Sequence, residues 1–266
     1  MRALVTNDDG IDSPGLVRLA GAARDAGLEV VVAAPAAQSS GASAAITATR
    51  REGRTLVERR ELPELPDVEA YAVEAQPGHI VVAALRGWFD PAPGIVLSGV
   101  NHGANVGRAV LHSGTVGAAL TAGINGAHGL AVSLDVGLRP AGPPRWDTAV
   151  ALLPRVLGLL TDTPPGTVLS LNVPDRPEPA LRELRHARLA EFGAVQARVH
   201  EVEDDRLHLG EIEIEGPAEE GTDSALLAAG HPTLTALHSV HEDLDGLVPR
   251  WLARSTRERP ASAAAR

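Results

Sequence analysis

Two adjacent carboxylates, Asp8 and Asp9, stand in the string Thr6-Asn7-Asp8-Asp9-Gly10, directly after a short apolar run. Placed side by side they repel each other, and removing them from water is costly unless a cation neutralises the pair. A hard divalent ion bound through oxygen would do so. Asp-Asp-Gly is also an ordinary turn ahead of a helix, so the string by itself leaves both readings open.

A second string, Pro35 to Ser43, follows another apolar run and offers the hydroxyls of Ser39, Ser40 and Ser43 on a flexible backbone. Small polar residues with glycine are equally what a surface connection contains. More informative is Ser98 to Gly107, where Gly99, Gly103 and Gly107 are interleaved with Asn101 and Asn105. Asparagine carbonyls ligate hard cations, and glycine lets backbone N–H groups approach an anion. His112-Ser113-Gly114-Thr115 comes next. There Ser113 or Thr115 can open a helix whose free N–H groups would hold phosphate. His102 and His112 lie in or beside these strings and are candidates for proton transfer. The other histidines show no metal-ligand spacing and receive no role.

Positioning these strings requires strands that end where the strings begin. Apolar runs bounded by turn residues recur at Ala3 to Val5, Val30 to Ala34, Ile95 to Ser98, Leu130 to Ser133 and Val168 to Leu171. They read as buried parallel strands. Helical patterns separate them at Pro14 to Ala26, Pro77 to Trp88, Thr115 to Ile124 and Asp147 to Leu160. Strand alternating with helix predicts a three-layer α/β sandwich around a mostly parallel, Rossmann-like sheet. Ligands in such sheets bind beyond the carboxyl ends of the strands, where the three polar strings fall. Asp12 or Ser13 can cap the first helix, Pro14 suits its first turn, and Gly27 can end it.

Beyond about Pro177 the pattern changes, and Ala197 to Glu215 alternates apolar with polar residues as a β-hairpin arm would. A C-terminal helix is expected near Asp243 to Ala253, and a disordered tail over 255–266. The predicted organisation is one α/β domain over residues 1–254, with the arm at about 195–217.

Composition narrows the chemistry further. The chain of 266 residues has no cysteine, which excludes thiolate metal sites and cysteine nucleophiles. Its 34 acidic residues against 24 basic ones, all arginine, argue against binding nucleic-acid polymers. Neither a signal-peptide pattern nor a membrane span is legible, so a cytoplasmic protein with no membrane partner is expected. Asn-Asp-Asp follows the first strand where a nicotinamide enzyme needs G-x-G-x-x-G, which removes that reading.

Together, MRALVTNDDGIDSPGL, AAPAAQSSGAS and IVLSGVNHGANVGRAVLHSGTVGAAL resemble the SurE survival-protein family of metal-dependent 5′/3′-nucleotidases. Weaker agreement continues through LAVSLD, VLSLNVPD and GTDSALLAAGHPTLTALH. The resemblance implies one divalent cation per subunit, magnesium or manganese, held by Asp8, Asp9, Ser40 and Asn101, with Ser39 one residue from the matching position. It implies Asn105, Ser113, Gly114 and Thr115 as phosphate binders, and Asp8 or Asp9 as the catalytic carboxylate. The implied substrate is a nucleoside monophosphate, a small phosphate ester. The implied assembly is a homodimer or homotetramer with the arm exchanged between subunits. Two routes stay open, attack by a water that Asp8 or Asp9 orients and attack by an aspartate itself. A binding module that has lost turnover is the alternative, because this chain departs from the family pattern in several places. Ala75-Gln76-Pro77-Gly78-His79 replaces Gly-Thr-Pro-Ala-Asp, Arg108 and Ala109 replace two acidic residues, His112 replaces a tyrosine, and Ala36 and Ala37 replace an Asp-Arg pair.

Overall fold

The computed structural model describes residues 1–38, 41–137, 140, 142–191, 195–203, 206–213, 219–240, 246 and 248, with backbone only at 50–51, 195–203 and 206–213. The chain runs through β1 (Arg2–Thr6), α1 (Pro14–Asp25), β2 (Glu29–Pro35), the short β3 (Arg50–Arg51) and β4 (Arg54–Thr55), β5 (Val57–Arg60) and β6 (Glu69–Val73). Next come α2 (Pro77–Ala83), β7 (Ile95–His102), α3 (Gly114–Ile124), β8 (His128–Asp135), α4 (Trp146–Val150), α5 (Leu153–Thr161) and β9 (Val168–Pro174). Last are β10 (Arg185–His186), β11 (Val195–Glu203), β12 (Arg206–Glu213), α6 (Asp223–Ala228) and β13 (Thr233–Leu237).

One sheet has the order β10-β13-β9-β8-β7-β1-β2-β6-β5. From β6 across to β9 every pairing is parallel, while β5 and β13 join the two sides antiparallel. The central strands read as continuous apolar runs because both faces are covered. Ala3 and Val5 of β1 pack in the cluster that holds Leu16 and Leu19 of α1 and Leu153 and Leu160 of α5. Leu4, between them, packs in the opposite cluster with Ile80 of α2 and Ala118 of α3. This period of two sends successive side chains to the two helical layers, giving the three-layer sandwich expected from the sequence.

Two helices differ from their sequence pattern. The one expected over Pro77 to Trp88 is regular only to Ala83 and then loosens into a π-type turn, where Gly87 has φ +105°. The one expected over Asp147 to Leu160 is two helices, α4 and α5. Pro154 has no N–H to continue the ladder from α4 and instead sits in the first turn of α5. The first helix keeps its boundaries. Ser13 is its N-cap residue, without a side-chain cap bond, and Gly27 follows its end at φ +86°.

Winding from β1 goes through β2 to β6 on one side and through β7 to β8 and β9 on the other. The direction reverses between β1 and β7, which opens a crevice at their carboxyl ends. Strands β11 and β12 form a separate antiparallel sheet with a register shift between Val199 and Glu201. The helix expected over 243–253 and the tail over 255–266 lie outside the described residues, apart from Gly246 and Val248. Among the described residues no helix is long and apolar enough to cross a membrane.

Candidate active site

At the end of β1 the chain turns on its own side chain. Asn7 Nδ2 donates to Gly10 O at 2.9 Å and Asn7 Oδ1 accepts from Gly10 N at 3.1 Å, with Gly10 at φ +100°. This closed turn holds Asp8 and Asp9 at the crevice. Asp8 is 5% exposed, and the Thr115 hydroxyl donates to its Oδ1 at 2.5 Å. The start of α3 lies so close that a Cβ on Gly114 would stand 2.8 Å from Asp8 Oδ2. Asp9 is less buried. Its Oδ2 accepts from the His102 backbone N–H at 3.1 Å and its Oδ1 from Gln38 Nε2 at 3.4 Å.

Burial pushes the Asp8 carboxyl above its ordinary value, the neighbouring Asp9 adds to the rise, and the Thr115 hydrogen bond opposes it. Among the described residues neither carboxylate has an ion-pair partner. Among the described residues the pair therefore lacks a counter-charge at the place where Asp8 is desolvated.

The third string is positioned by β7. A Cβ on Gly99, whose φ is +138°, would sit 2.2 Å from Val132 O, so only glycine allows β7 and β8 to approach there. The register shifts between Ser98 and Asn101 and brings Asn101 opposite Ser133. Asn101 Nδ2 donates to Gly103 O at 2.8 Å, which leaves the side-chain carbonyl oxygen as the group available to a cation. Asn105 is clamped from three directions. Its N–H donates to Asn172 Oδ1 at 2.8 Å, its carbonyl accepts from Asn172 Nδ2 at 3.0 Å, and its Nδ2 donates to Ser133 Oγ at 2.9 Å. Just beyond, Gly107 N donates to Asp223 Oδ2 at 2.8 Å, while the other oxygen of this buried carboxylate accepts from Ala190 N at 3.0 Å.

A cleft of about 460 Å³ gathers Asp8, Asp9, Asn101, Asn105 and Ser113 on its wall, with Gln38 beside them. His102 and His112 also line it, and the His102 ring lies 5.9 Å from that of Trp146. Ser113 caps α3 by accepting from Val116 N at 3.1 Å. Gly114 and Thr115, expected to meet phosphate, lie against Asp8, and the Thr115 hydroxyl donates to that carboxylate. Arg108 is exposed and does not line the cleft. Ser39 and Ser40 lie outside the described residues. The rest of their loop is tied down where Ser43 Oγ donates to Leu111 O at 2.6 Å.

Four contributors were not singled out from sequence. Gln38 looks like any loop amide, Ser133 and Asn172 are polar interruptions at the ends of apolar strands, and Asp223 follows the cap residue Thr222. A polar side chain at the carboxyl end of a buried strand is the one signal that could have found Ser133 and Asn172. Among the described residues no group of three His, Asp or Glu forms a metal site. An ion here would take two carboxylates and an amide carbonyl, a hard-oxygen set suited to magnesium or manganese. The desolvated, unpaired Asp8 fits such an ion.

Comparison with known proteins agrees with this geometry. The family model described as Survival protein SurE matches residues 3–195. A protein of Edwardsiella ictaluri named 5′/3′-nucleotidase SurE is 34% identical over 263 residues, covering 96% of this chain and 97% of its own. One of Rubrobacter xylanophilus named 5′-nucleotidase SurE is 35% identical over 260 residues, covering 93% and 95%. The crystal structure of the SurE protein from Aquifex aeolicus superposes with a TM-score of 0.78 at 25% identity, over 95% of this chain and all of that one. The family match spans β1 through β9, the strands that hold both aspartates and both asparagines of the cleft, and so this chain belongs to the Survival protein SurE family.

Proposed function

We propose that the protein is a metal-dependent phosphomonoesterase that hydrolyses nucleoside 5′- or 3′-monophosphates to nucleoside and phosphate. The observation that carries this reading is the convergence of Asp8, Asp9 and Asn101 with Asn105 and Ser113 on one cleft. The names of its relatives support it. Asp8, Asp9 and Asn101, with Ser40 from the adjoining loop, would hold one magnesium or manganese ion, which when bound neutralises phosphoryl charge and acidifies water.

The protein's own residues divide the remaining work. Thr115 donates to Asp8 Oδ1, which suits that carboxylate to the role of an oriented ligand. Asp9, more exposed and steered by the His102 N–H, orients the attacking water. The water oxygen attacks phosphorus as the ester P–O bond breaks, and the alcohol departs with a proton. Asn105, held by Ser133 and Asn172, and the Ser113 hydroxyl, whose proton is not used by its capping bond, donate to the equatorial oxygens. The hairpin β11–β12 supports a homo-oligomer, because an isolated two-stranded sheet is only marginally stable unless something packs on it.

The test is phosphate release from nucleoside 5′- and 3′-monophosphates with manganese, with magnesium and with EDTA. Release that EDTA abolishes is expected. Folded protein that releases nothing with either ion would instead mark a phosphate-binding module.

A further inference from the structure

Residues 41–47 lie across two helices at points where those helices carry no side chain. A Cβ on Gly117 of α3 would stand 2.4 Å from Ser43 O, and one on Gly78 of α2 would stand 2.9 Å from Ala45 O. Bare helix backbone is what lets the segment come this close. Little apolar burial holds it there, since Ile46 is 65% exposed and Leu111, on the segment it meets, is 66% exposed. Polar contacts through one residue take that place. Ser43 N donates to His112 O at 3.3 Å and Ser43 Oγ to Leu111 O at 2.6 Å, the latter across 68 positions of chain.

The backbone of Ser43 is strained to make these contacts. Ala45 N donates to Ala42 O at 3.1 Å, which closes a turn with Ser43 as its first central residue at φ +55°. Positive φ at that place usually falls to glycine, asparagine or aspartate. Among the described residues one other non-glycine residue has positive φ, Glu52 at +53°. That one has a local reason, because with Gly53 it forms the two-residue loop between the paired strands β3 and β4. Ser43 has no hairpin to demand its conformation. Left-handed backbone in a residue with a Cβ persists where its surroundings over-determine it, and such places concentrate at ligand clamps. A glycine would adopt this turn more easily but would lack the hydroxyl that reaches Leu111 O.

The two segments so joined both reach the cleft. Gln38 and Gly41 line it from the chain before Ser43, and His112 and Ser113 line it from the chain after Leu111. Ser113 is fixed in turn, donating its N–H to Val110 O at 3.2 Å and capping α3 with its Oγ. We propose that Ser43 is a positioning residue, whose hydroxyl sets the spacing between the loop carrying Gly41 and the Ser113 that meets the phosphoryl group. It touches no reacting atom and acts through Leu111 and His112. The inference rests on the phosphomonoesterase reading of the cleft and adds the residue that fixes its width.

The experiment compares wild-type, Ser43→Ala and Ser43→Gly proteins by kcat/KM for 5′-AMP with manganese, by inorganic phosphate binding in calorimetry, and by Tm. Both variants lose the hydroxyl, but Ser43→Gly also relieves the backbone, so it should keep more of the wild-type Tm than Ser43→Ala. Both should lower kcat/KM and weaken phosphate binding by about fivefold or more, the scale of one net hydrogen bond. Losses that follow the hydroxyl and not Tm support the assignment. A role confined to the fold predicts instead that Ser43→Gly recovers phosphate binding along with Tm. That recovery, or wild-type kcat/KM in both variants, would overturn it. If the wild type releases no phosphate, the phosphomonoesterase reading is what fails, and phosphate binding then decides. Weakening in both variants would still support the role of Ser43, and equal binding in all three proteins, or none in the wild type, would end it.

Discussion

Asp8 is held in an unfavourable state by its surroundings, chiefly burial and then the adjacent Asp9. Its folded pKa lies above its unfolded one, so without metal its ionised form lowers stability near neutral pH. That cost disappears as pH falls through the raised value toward the ordinary carboxylate range. Asp8→Asn should therefore abolish phosphate release and raise the Tm of metal-free protein near neutral pH, with the gain shrinking in acid. A Tm that falls at neutral pH would show that Asp8 is not strained by its charge. Thr115 acts through Asp8. If Asp8 holds the ion as proposed, Thr115→Val should lower kcat/KM by about 10- to 100-fold, as loss of a group supporting a metal ligand does. It should also move the acid limb of the rate profile to higher pH, and Thr115→Ser should restore both. A Val variant with an unshifted profile would place Thr115 in the packing alone.

At the scale of elements, the glycines divide sharply. Gly99 at φ +138° has Val132 O where a Cβ would go, so Gly99→Ala should destabilise by about 3 kcal/mol or more in urea unfolding. Gly158 lies inside α5 with open space around its would-be Cβ, and Gly158→Ala should stabilise by about 0.5–1 kcal/mol. Similar results from both would show that helix propensity, and not close approach, governs these positions. The same division explains what sequence could reveal. The central strands were legible because they are buried on both faces and bounded by turns, and three polar strings lay at their ends. The outer strands β5 and β13 are short and partly exposed, with polar residues breaking any apolar run that could mark them. The break between α4 and α5 hung on Pro154, whose missing N–H outweighed a continuous apolar stripe. Asp8, Asp9, Asn101, Asn105 and Ser113 do share a cleft, whereas the packing of Gly114 and Thr115 behind Asp8 depends on a helix approach that no spacing encodes.

For the whole molecule, the sheet reverses its winding beside β1, so each half contributes to the cleft. The hairpin β11–β12 stands as its own sheet. Replacing residues 195–213 with a short glycine-serine linker should reduce the oligomer measured by light scattering while the parallel sheet still unfolds cooperatively. An unchanged mass would remove the hairpin from the proposed assembly.

The bond from Gly107 N to Asp223 Oδ2 joins residues 116 positions apart. A ribosome must release residue 223 before the loop bearing Asn105 gains that anchor. A nascent or prematurely terminated chain therefore carries both aspartates and most of the sheet, yet its cleft lacks this constraint. On the proposed reading, fragments ending before α6 should therefore release phosphate more slowly than the full chain, since the loop bearing Asn105 lacks its anchor.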